Sequence, residues 1–187
     1  MTATPGQTAA DLDRRLADRG DAGKRAWWER YLKGEAAFHG APIATVRDVV
    51  WPWYDHQLAE VADWNTCDWL CVRVLGPLIE RHGEVAARTI AGWCDAAGLW
   101  RRRAAVVAFV NLVGRDEEPF PGCRQLVLDT CARNVTDPQR FAQTGVGWVL
   151  RELSTAAPGA VAVFLDRHGD TMSAEARRTA SSRLPGE

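Results

Sequence analysis

Three short segments with similar spacing constrain the fold of this chain more than any other feature of its sequence. They read WNTCD (64–68), LWRRRAA (99–105) and GWVLRE (147–152). Arg103 follows Trp64 by 39 positions and Trp148 follows Arg103 by 45, close to the ~40 to 47 residues of a HEAT-type helical repeat. Residues one repeat apart occupy equivalent places on neighbouring units. We therefore expect one surface of a helical solenoid to carry Trp64, Asp68, Arg103 and Trp148.

The apolar pattern predicts an all-α chain. Apolar residues recur at spacings of three and four, and no segment alternates with period two for long enough to predict a strand. N-terminal helix starts are predicted at Thr8, Asp21 and Pro52, with a short helix near 43–51. Later helices are predicted over 64–83, 84–97, 100–113, 123–134, 138–154, 159–167 and 174–184. Asn65 and Ser173 are the expected N-caps and Gly83 an expected helix end, a pattern that fits stacked helical pairs better than a four-helix bundle.

The composition is that of a soluble globular protein with one domain over 1–187. The chain has 187 residues, of which 47% are hydrophobic and 25% charged, and these values are ordinary for such a domain. The net charge of −1 gives no global argument for nucleic-acid binding, so local arginine clusters must decide. No secretory signal and no apolar run of ~18 residues is found, so we expect a cytoplasmic protein without a membrane span.

Cysteine usage argues against disulfides and metal. The five cysteines are an odd number without CxxC spacing: Cys67, Cys71, Cys94, Cys123 and Cys131. Four of them lie in apolar helical patterns, which predicts reduced and mostly buried thiols. We expect no metal site and no cofactor.

Trp148 departs from the apolar pattern of the helix predicted over 138–154. Four residues share one buried stripe at 100° per residue: Val146, Val149, Leu150 and Leu153. Trp148 points the opposite way, on a second face with Phe141, Thr144 and Arg151. This face either packs against the next helical layer or presents an indole beside a guanidinium.

Arg103 and Asp68 each allow a structural and a functional interpretation. Arg103 lies in the apolar stripe of its helix, so it either pairs with a nearby carboxylate, extends past the valines to solvent, or holds a phosphate. Asp68 follows Asn65 by three positions, so it either completes a capping box or serves as an ionised carboxylate beside indoles and arginines. In the second case Asp68 can stabilise a developing positive charge.

Taken together and in order, these segments give the chain a family resemblance. The matching residues are WNTCDW from Trp64, LWRRRAAVVAF from Leu99 and FAQTGVGWVLREL from Phe141, with a weaker match in RYLKGEAAFHGAP from Arg30. The chain resembles the HEAT-like repeat alkylpurine DNA glycosylases, the AlkD type of DNA alkylation repair protein. The resemblance covers most of the chain. It implies an α-solenoid of antiparallel HEAT-like repeats with a concave DNA-binding face, which removes cationic N3- or N7-alkylated purines from duplex DNA in base excision repair.

The resemblance also implies roles for individual residues. An aromatic residue and a carboxylate four positions apart line the family's DNA cleft, and here they are Trp64 and Asp68. Trp64 and Trp148 would pack against the sugar and backbone, while Asp68 would stabilise the oxocarbenium-like sugar and position water. Arg103 would bind a phosphate, and the base would stay in the duplex instead of being flipped into a pocket. Arg102 and Arg151 are further predicted DNA contacts.

Two features depart from the family pattern, and three hypotheses result. Thr144 stands near the position of a family lysine, and the interval from Gly40 to Trp64 is shorter than expected by on the order of 40 residues, one helical repeat. The leading hypothesis is a monofunctional DNA glycosylase that acts as a monomer on double-stranded DNA. The alternatives are a non-catalytic HEAT-like protein that binds distorted or branched DNA, and a protein-binding α-solenoid.

Overall fold

A computed structural model describes residues 13–31 and 63–184 together with Asp11 and Val61, with the backbone alone over 27–31. Contacts within the chain define two compact units, residues 1–57 and residues 58–187. The helix starts predicted at Thr8 and Pro52 and the helix near 43–51 lie outside the described residues. The prediction of one domain over 1–187 stays a prediction.

The described part of the first unit contains one long helix, α1 (Ala22–Tyr31). The carboxylate of Asp21 accepts the backbone N–H of Lys24 at 2.7 Å, which satisfies a donor that the helix itself leaves unpaired. The predicted cap at Asp21 is therefore confirmed.

The second unit begins with α2 (Trp64–Leu70), which continues through a π-helical turn (Cys71–Leu75) into α3 (Gly76–Ala91). The N-cap of α2 is Asp63, whose carboxylate accepts the backbone N–H of Thr66 at 2.9 Å. The predicted cap at Asn65 is wrong, because Asn65 already lies in the first helical turn. Gly83 breaks α3 with φ 62° and ψ −142°, a conformation that glycine adopts without strain, so the predicted break is confirmed.

A short 3₁₀ turn (Gly92–Asp95) leads to α4 (Leu99–Val107). This helix was expected to run to Val113 but ends six residues earlier, because the following backbone tightens into i→i+3 hydrogen bonds such as that from Phe109 to Val106, at 3.1 Å. The same apolar residues remain in the core, so the periodicity located the buried face correctly and the end of the helix incorrectly.

The remaining helices agree closely with the predicted ranges. They are α5 (Cys123–Asn134), α6 (Arg140–Leu153), α7 (Pro158–His168) and α8 (Ala174–Ser181). Helix α6 begins two residues after the predicted start because the Asp137 carboxylate accepts the backbone N–H of Gln139 at 2.8 Å, in a turn before the helix. Ser173 caps α8 as predicted, accepting the N–H of Ala176 at 3.2 Å.

The helices of the second unit pack in two layers. One layer contains α2, α4, α6 and α8 in order, while α3 packs against α5 and both of these also contact the first layer. Large apolar side chains between the layers form the core: Leu75, Leu78, Ile79, Ile90, Phe109, Leu112, Leu150 and Leu153. No residue in the described ranges forms a strand, and the predicted all-α solenoid is confirmed.

Two glycines place α6 between its neighbours. A Cβ atom on Gly145 would lie 3.2 Å from Val107 of α4, and one on Gly147 would lie 2.6 Å from the carbonyl oxygen of Ala176 of α8. The two glycines point about 200° apart around the helix. The face between them, which carries Phe141, Thr144 and Trp148, is covered by neither contact.

Several ion pairs join residues of neighbouring repeats. Four of them join residues 35 positions apart: Asp68–Arg103, Glu80–Arg115, Arg102–Asp137 and Arg140–Glu175. Each pair connects one helical repeat to the next. The repeat measured by these contacts is thus shorter than the 39 and 45 positions that separate the conspicuous sequence segments.

Candidate active site

A cavity of about 360 Å³ opens on the layer formed by α2, α4, α6 and α8. All four helices contribute to its lining residues: Trp64, Asp68, Arg103, Arg140, Phe141, Thr144 and Glu175. A second cavity of about 350 Å³ lies between α5 and α7, but none of the predicted site residues lines it. The first cavity is therefore the candidate site.

Asp68 and Arg103 form a two-point ion pair at this cavity. Nε of Arg103 donates to Oδ1 of Asp68 at 2.7 Å, and Nη2 donates to Oδ2 at 2.8 Å. The Asp68 side chain is 14% exposed and that of Arg103 is 6% exposed. The planar guanidinium matches the carboxylate in this geometry and compensates for the water that both groups lose. Each carboxylate oxygen keeps a lone pair for a further partner.

Arg103 also joins α4 to α6. Its Nη1 donates to the backbone carbonyl of Phe141 at 2.6 Å and to the hydroxyl of Thr144 at 3.1 Å. A side chain at position 145 would approach this nitrogen, since a Cβ on Gly145 would lie 3.4 Å from it. The four bonds use four of the five N–H groups of the guanidinium. The pairing interpretation of Arg103 is confirmed, and a phosphate contact through the remaining N–H stays a prediction.

The structure corrects the capping interpretation of Asp68. The cap of α2 is the Asp63 carboxylate, which accepts both the N–H and the hydroxyl of Thr66. These bonds lower the pKa of Asp63 below its ordinary value, the backbone N–H contributing most. Asp68 lies five positions later and is bound to Arg103 on the next repeat, so its carboxylate has no part in the cap.

Two aromatic residues, Trp64 and Phe141, line the same cavity as the ion pair. Trp64 lies one turn before Asp68 on α2 and is 52% exposed, so a large part of its indole is open to a ligand. Phe141 lines the cavity from α6, and its ring centroid lies 5.4 Å from that of Trp100 at an angle of 39°. The exposed indole gives the cavity an apolar surface that a ligand can contact.

A second, exposed ion pair lies at the same cavity. Arg140 donates from Nε and Nη2 to the two carboxylate oxygens of Glu175 at 2.8 and 2.7 Å, and its guanidinium lies 5.2 Å from the centre of the Phe141 ring. The hydrogen bonds from Arg140 lower the pKa of Glu175, and those to Glu175 raise the pKa of Arg140. Neither residue was predicted as part of the site, although their separation of 35 equals that of Asp68 and Arg103.

The other predicted site residues lie outside the cavity lining. Trp148 is partly buried on the α6 face that carries Phe141 and Thr144, two turns beyond Phe141. Arg102 donates to Asp137 at 2.5 Å and to the carbonyls of Ala96 and Ala97, which anchors the loop before α4. For these residues a DNA contact stays a prediction.

Arg151 also lies beyond the cavity lining, near the C-terminal end of α6. Its guanidinium donates to the neighbouring Glu152 at 2.6 Å, and Glu152 also accepts from Arg183. Burial raises the pKa of Glu152, but the hydrogen bonds from the two arginines outweigh burial, so its pKa lies below the ordinary value. A DNA contact by Arg151 stays a prediction as well.

The described residues contain no group of three or more side chains suited to hold a metal ion. Among the helices that the structure describes, none is long and apolar enough to cross a membrane. All five cysteines are buried free thiols, where the sequence predicted that most of them are buried.

The fold and cavity define an all-α repeat protein with an ion-paired, aromatic site on one helical layer. A sequence model described as DNA alkylation repair enzyme matches residues 47–184. The chain therefore belongs to the DNA alkylation repair enzyme family, and its role is in the repair of alkylation damage. No curated protein sequence is significantly similar to it.

A solved structure has a similar fold. It is described as a predicted DNA alkylation repair enzyme from Enterococcus faecalis, and it aligns with a TM-score of 0.51 at 15% identity over 90% of this chain and 98% of that chain. At this identity the similarity concerns the fold alone. The matched family region contains every residue that lines the cavity.

Proposed function

We propose that this protein is a monofunctional DNA glycosylase that removes N3- or N7-alkylated purines from double-stranded DNA. The observation that carries the proposal is the Asp68 carboxylate, fixed by Arg103 at two points and partly open to a cavity beside the exposed indole of Trp64. Family membership supports an enzyme of alkylation repair, and the cavity supplies groups suited to glycosidic hydrolysis.

The substrate chemistry requires little from the protein. An N3- or N7-alkylated purine carries a positive charge, so the bond from C1′ of deoxyribose to the base breaks readily and its electron pair leaves with the base as a neutral purine. The sugar becomes oxocarbenium-like. Water then forms the new bond to C1′ and loses a proton, which leaves an abasic site. Neither a metal nor a redox cofactor is needed for this balance.

Asp68 is suited to the charged intermediate. Each of its oxygens accepts one hydrogen bond from Arg103 and keeps a second lone pair, so the carboxylate can face the sugar cation or orient a water molecule. The ion pair holds the carboxylate in one orientation before substrate binds, which avoids reorganisation during the reaction. Arg103 is therefore a positioning residue in this proposal, with a phosphate contact as an additional role.

The aromatic residues would bind the sugar and backbone. Trp64 offers a half-exposed ring one helical turn from Asp68, and Trp148 lies on the α6 face shared with Phe141 and Thr144. Faces of aromatic rings attract cations and C–H groups. We propose that the lesion stays stacked in the duplex while the deoxyribose enters the cavity, and that the protein acts as a cytoplasmic monomer.

One observation favours a second candidate, a non-catalytic protein that binds distorted or branched DNA. Arg103 neutralises much of the charge that Asp68 would direct at the sugar, and buried ion pairs also occur as purely structural elements. Under this alternative the cavity would bind the backbone of damaged DNA without cleaving a glycosidic bond.

The test is base release from a duplex that contains a single N7-methylguanine. We expect free N7-methylguanine and an equal amount of alkali-labile abasic sites, with no release from the same duplex carrying guanine. Binding of the damaged duplex without base release at saturating protein would reject the glycosylase and favour the second candidate.

A further inference from the structure

The two arginines at the cavity have different environments. Arg103 is almost completely buried, with four of its N–H groups bound to Asp68 and α6. The Arg140 side chain is 63% exposed, and that of its partner Glu175 is 40% exposed. Among described residues, both hydrogen bonds that Arg140 donates go to Glu175, which leaves three of its five N–H groups for another acceptor.

Helix stability does not explain the position of Arg140. It is the first residue of α6, where the partial positive charge of the helix end disfavours a cation. Glu175 and the face of Phe141 hold the guanidinium there, at the mouth of the cavity. The cation therefore lies open to a further anionic partner at this position.

The partner of Arg140 can be exchanged easily. Exposed ion pairs contribute little net stability because water already solvates both groups. A phosphodiester of the DNA backbone offers the same two-point geometry to a guanidinium as a carboxylate does, and it carries the same single negative charge. Glu175 would then stand beside an incoming anion and repel it.

We propose that Arg140 binds a phosphate of the DNA backbone by exchanging its partner, and that Glu175 is a built-in competitor that weakens this contact. The inference rests on the proposed function, since it takes the cavity as the place where the duplex docks. Glu175 blocks Arg140 in free protein and so limits binding of undamaged DNA, on which the aromatic and carboxylate groups gain no additional contacts.

The test measures affinity for an undamaged duplex over a series of salt concentrations. Loss of one phosphate contact reduces the slope of log affinity against log salt by about 0.9. We expect this reduction, with weaker binding, for Arg140→Ala. For Glu175→Gln we expect a steeper slope and tighter binding, by at least ~3-fold at low salt. One repulsive charge is then removed and Arg140 becomes free.

The double variant separates competition from general charge effects. If Glu175 acts through Arg140, Glu175→Gln strengthens binding much less when Arg140→Ala is already present. The matched control is the exposed Arg115–Glu80 pair, which has the same separation of 35 and lies outside the cavity lining. Arg115→Ala and Glu80→Gln should change the slope little, and thermal unfolding verifies that every variant is folded.

Specific outcomes would overturn the proposal. One is that the wild-type protein does not bind duplex DNA. Another is that Arg140→Ala and Arg115→Ala give the same slope of log affinity against log salt. A third is that Glu175→Gln changes duplex affinity equally in the wild-type and the Arg140→Ala background. Because these measurements use undamaged DNA, they do not depend on base release. If Arg140 contributes to duplex binding but no N7-methylguanine is released from the damaged duplex, the glycosylase proposal is refuted and this inference stands.

Discussion

The Asp68–Arg103 pair explains why an arginine occupies the apolar stripe of α4. Two charges that are nearly removed from water stabilise the fold only if their hydrogen-bonding groups are satisfied, and here both carboxylate oxygens and four guanidinium N–H groups have partners. The pair joins α2 to α4, and Arg103 extends the connection to α6. The residues proposed to bind DNA and to act in glycosidic hydrolysis therefore also hold three helices together.

Arg103→Ala should destabilise the protein strongly. Removing one partner of a buried pair leaves the other charge uncompensated, at a cost of about 3–5 kcal/mol in the free energy of unfolding. Arg115→Ala, which breaks the exposed pair with Glu80, should cost about 0–1 kcal/mol. Urea denaturation of both variants measures the difference, and equal midpoints would show that Arg103 does not support the fold.

For individual residues, the sequence predicted which residue types belong to the site better than it predicted their interaction partners. The alternative that Arg103 pairs with a carboxylate was available from its position among the valines, but the choice of Asp68 depends on how α2 and α4 pack. Asn65 and Asp63 are both good N-cap residues, and the pattern favoured the wrong one because Asp68 completes a capping box only with Asn65. Arg140 and Glu175 went unnoticed because exposed charges are common on helices.

Helix α6 packs closely against two neighbouring helices. Gly145 faces α4 and Gly147 faces α8, and each glycine lies where a side chain would meet a neighbouring helix. This arrangement leaves one face of α6 for Phe141, Thr144 and Trp148. The spacing of the two glycines thus determines which side chains of α6 are directed toward the proposed DNA surface.

Gly147→Ala should displace α8 from α6. The added Cβ would lie 2.6 Å from the carbonyl oxygen and 2.9 Å from Cα of Ala176, and backbone atoms cannot rotate away, so we expect a loss of about 1–3 kcal/mol in unfolding free energy. Gly159→Ala in α7 is the control, since no atom lies within 4 Å of its Cβ position, and it should be neutral or stabilising. If the Gly147→Ala variant is as stable as the Gly159→Ala variant, α6 and α8 do not pack as closely at Gly147 as the structure indicates.

The helices themselves were largely predictable because their buried faces have a clear period. The range of α5 matches the prediction fully, and the break at Gly83 was located from a single glycine. Helix ends were less predictable, since α4 ends at Val107, where the backbone tightens into i→i+3 hydrogen bonds. The apolar residues are buried whether the backbone is α-helical or forms i→i+3 turns, so their pattern carries no information about where the helix ends.

On the scale of the molecule, the core encloses every thiol. All five cysteines are buried and unpaired. Burial raises the pKa of Cys71, Cys94, Cys123 and Cys131, that of Cys123 to about 12. Since the thiolate is the reactive form, few of these groups are both ionised and accessible near pH 8.

Cysteine labelling should therefore report global unfolding. We expect a thiol reagent at pH 8 to modify the folded protein slowly and all five cysteines rapidly in denaturant. The labelling rate should fall when damaged duplex DNA stabilises the fold by binding. Mass spectrometry counts the modified cysteines, and rapid labelling of several of them without denaturant would contradict the compact core.

The shared surface was predictable from the repeat, but the complete cavity was not. The segments at 64–68, 99–105 and 147–152 placed Trp64, Asp68 and Arg103 in neighbouring repeats, and the cavity contains all three. Trp148 lies farther along α6, because the interval of 45 positions exceeds the 35 positions of the inter-repeat ion pairs by almost three helical turns. A search for opposite charges with this separation would have found Arg140 and Glu175.

The most direct test of the central claim is single-turnover release of N7-methylguanine by wild type and by Asp68→Asn. The amide keeps the shape but loses the negative charge that opposes the oxocarbenium charge, so we expect a 10²- to 10³-fold lower rate, about 3–4 kcal/mol. Glu80→Gln removes the charge from the Glu80–Arg115 pair, which has the same separation of 35 and lies outside the cavity lining, and it should keep the wild-type rate per folded molecule. Thermal unfolding of both variants corrects for lost structure. A folded Asp68→Asn protein with the wild-type rate would remove Asp68 from the reaction and contradict the proposed mechanism.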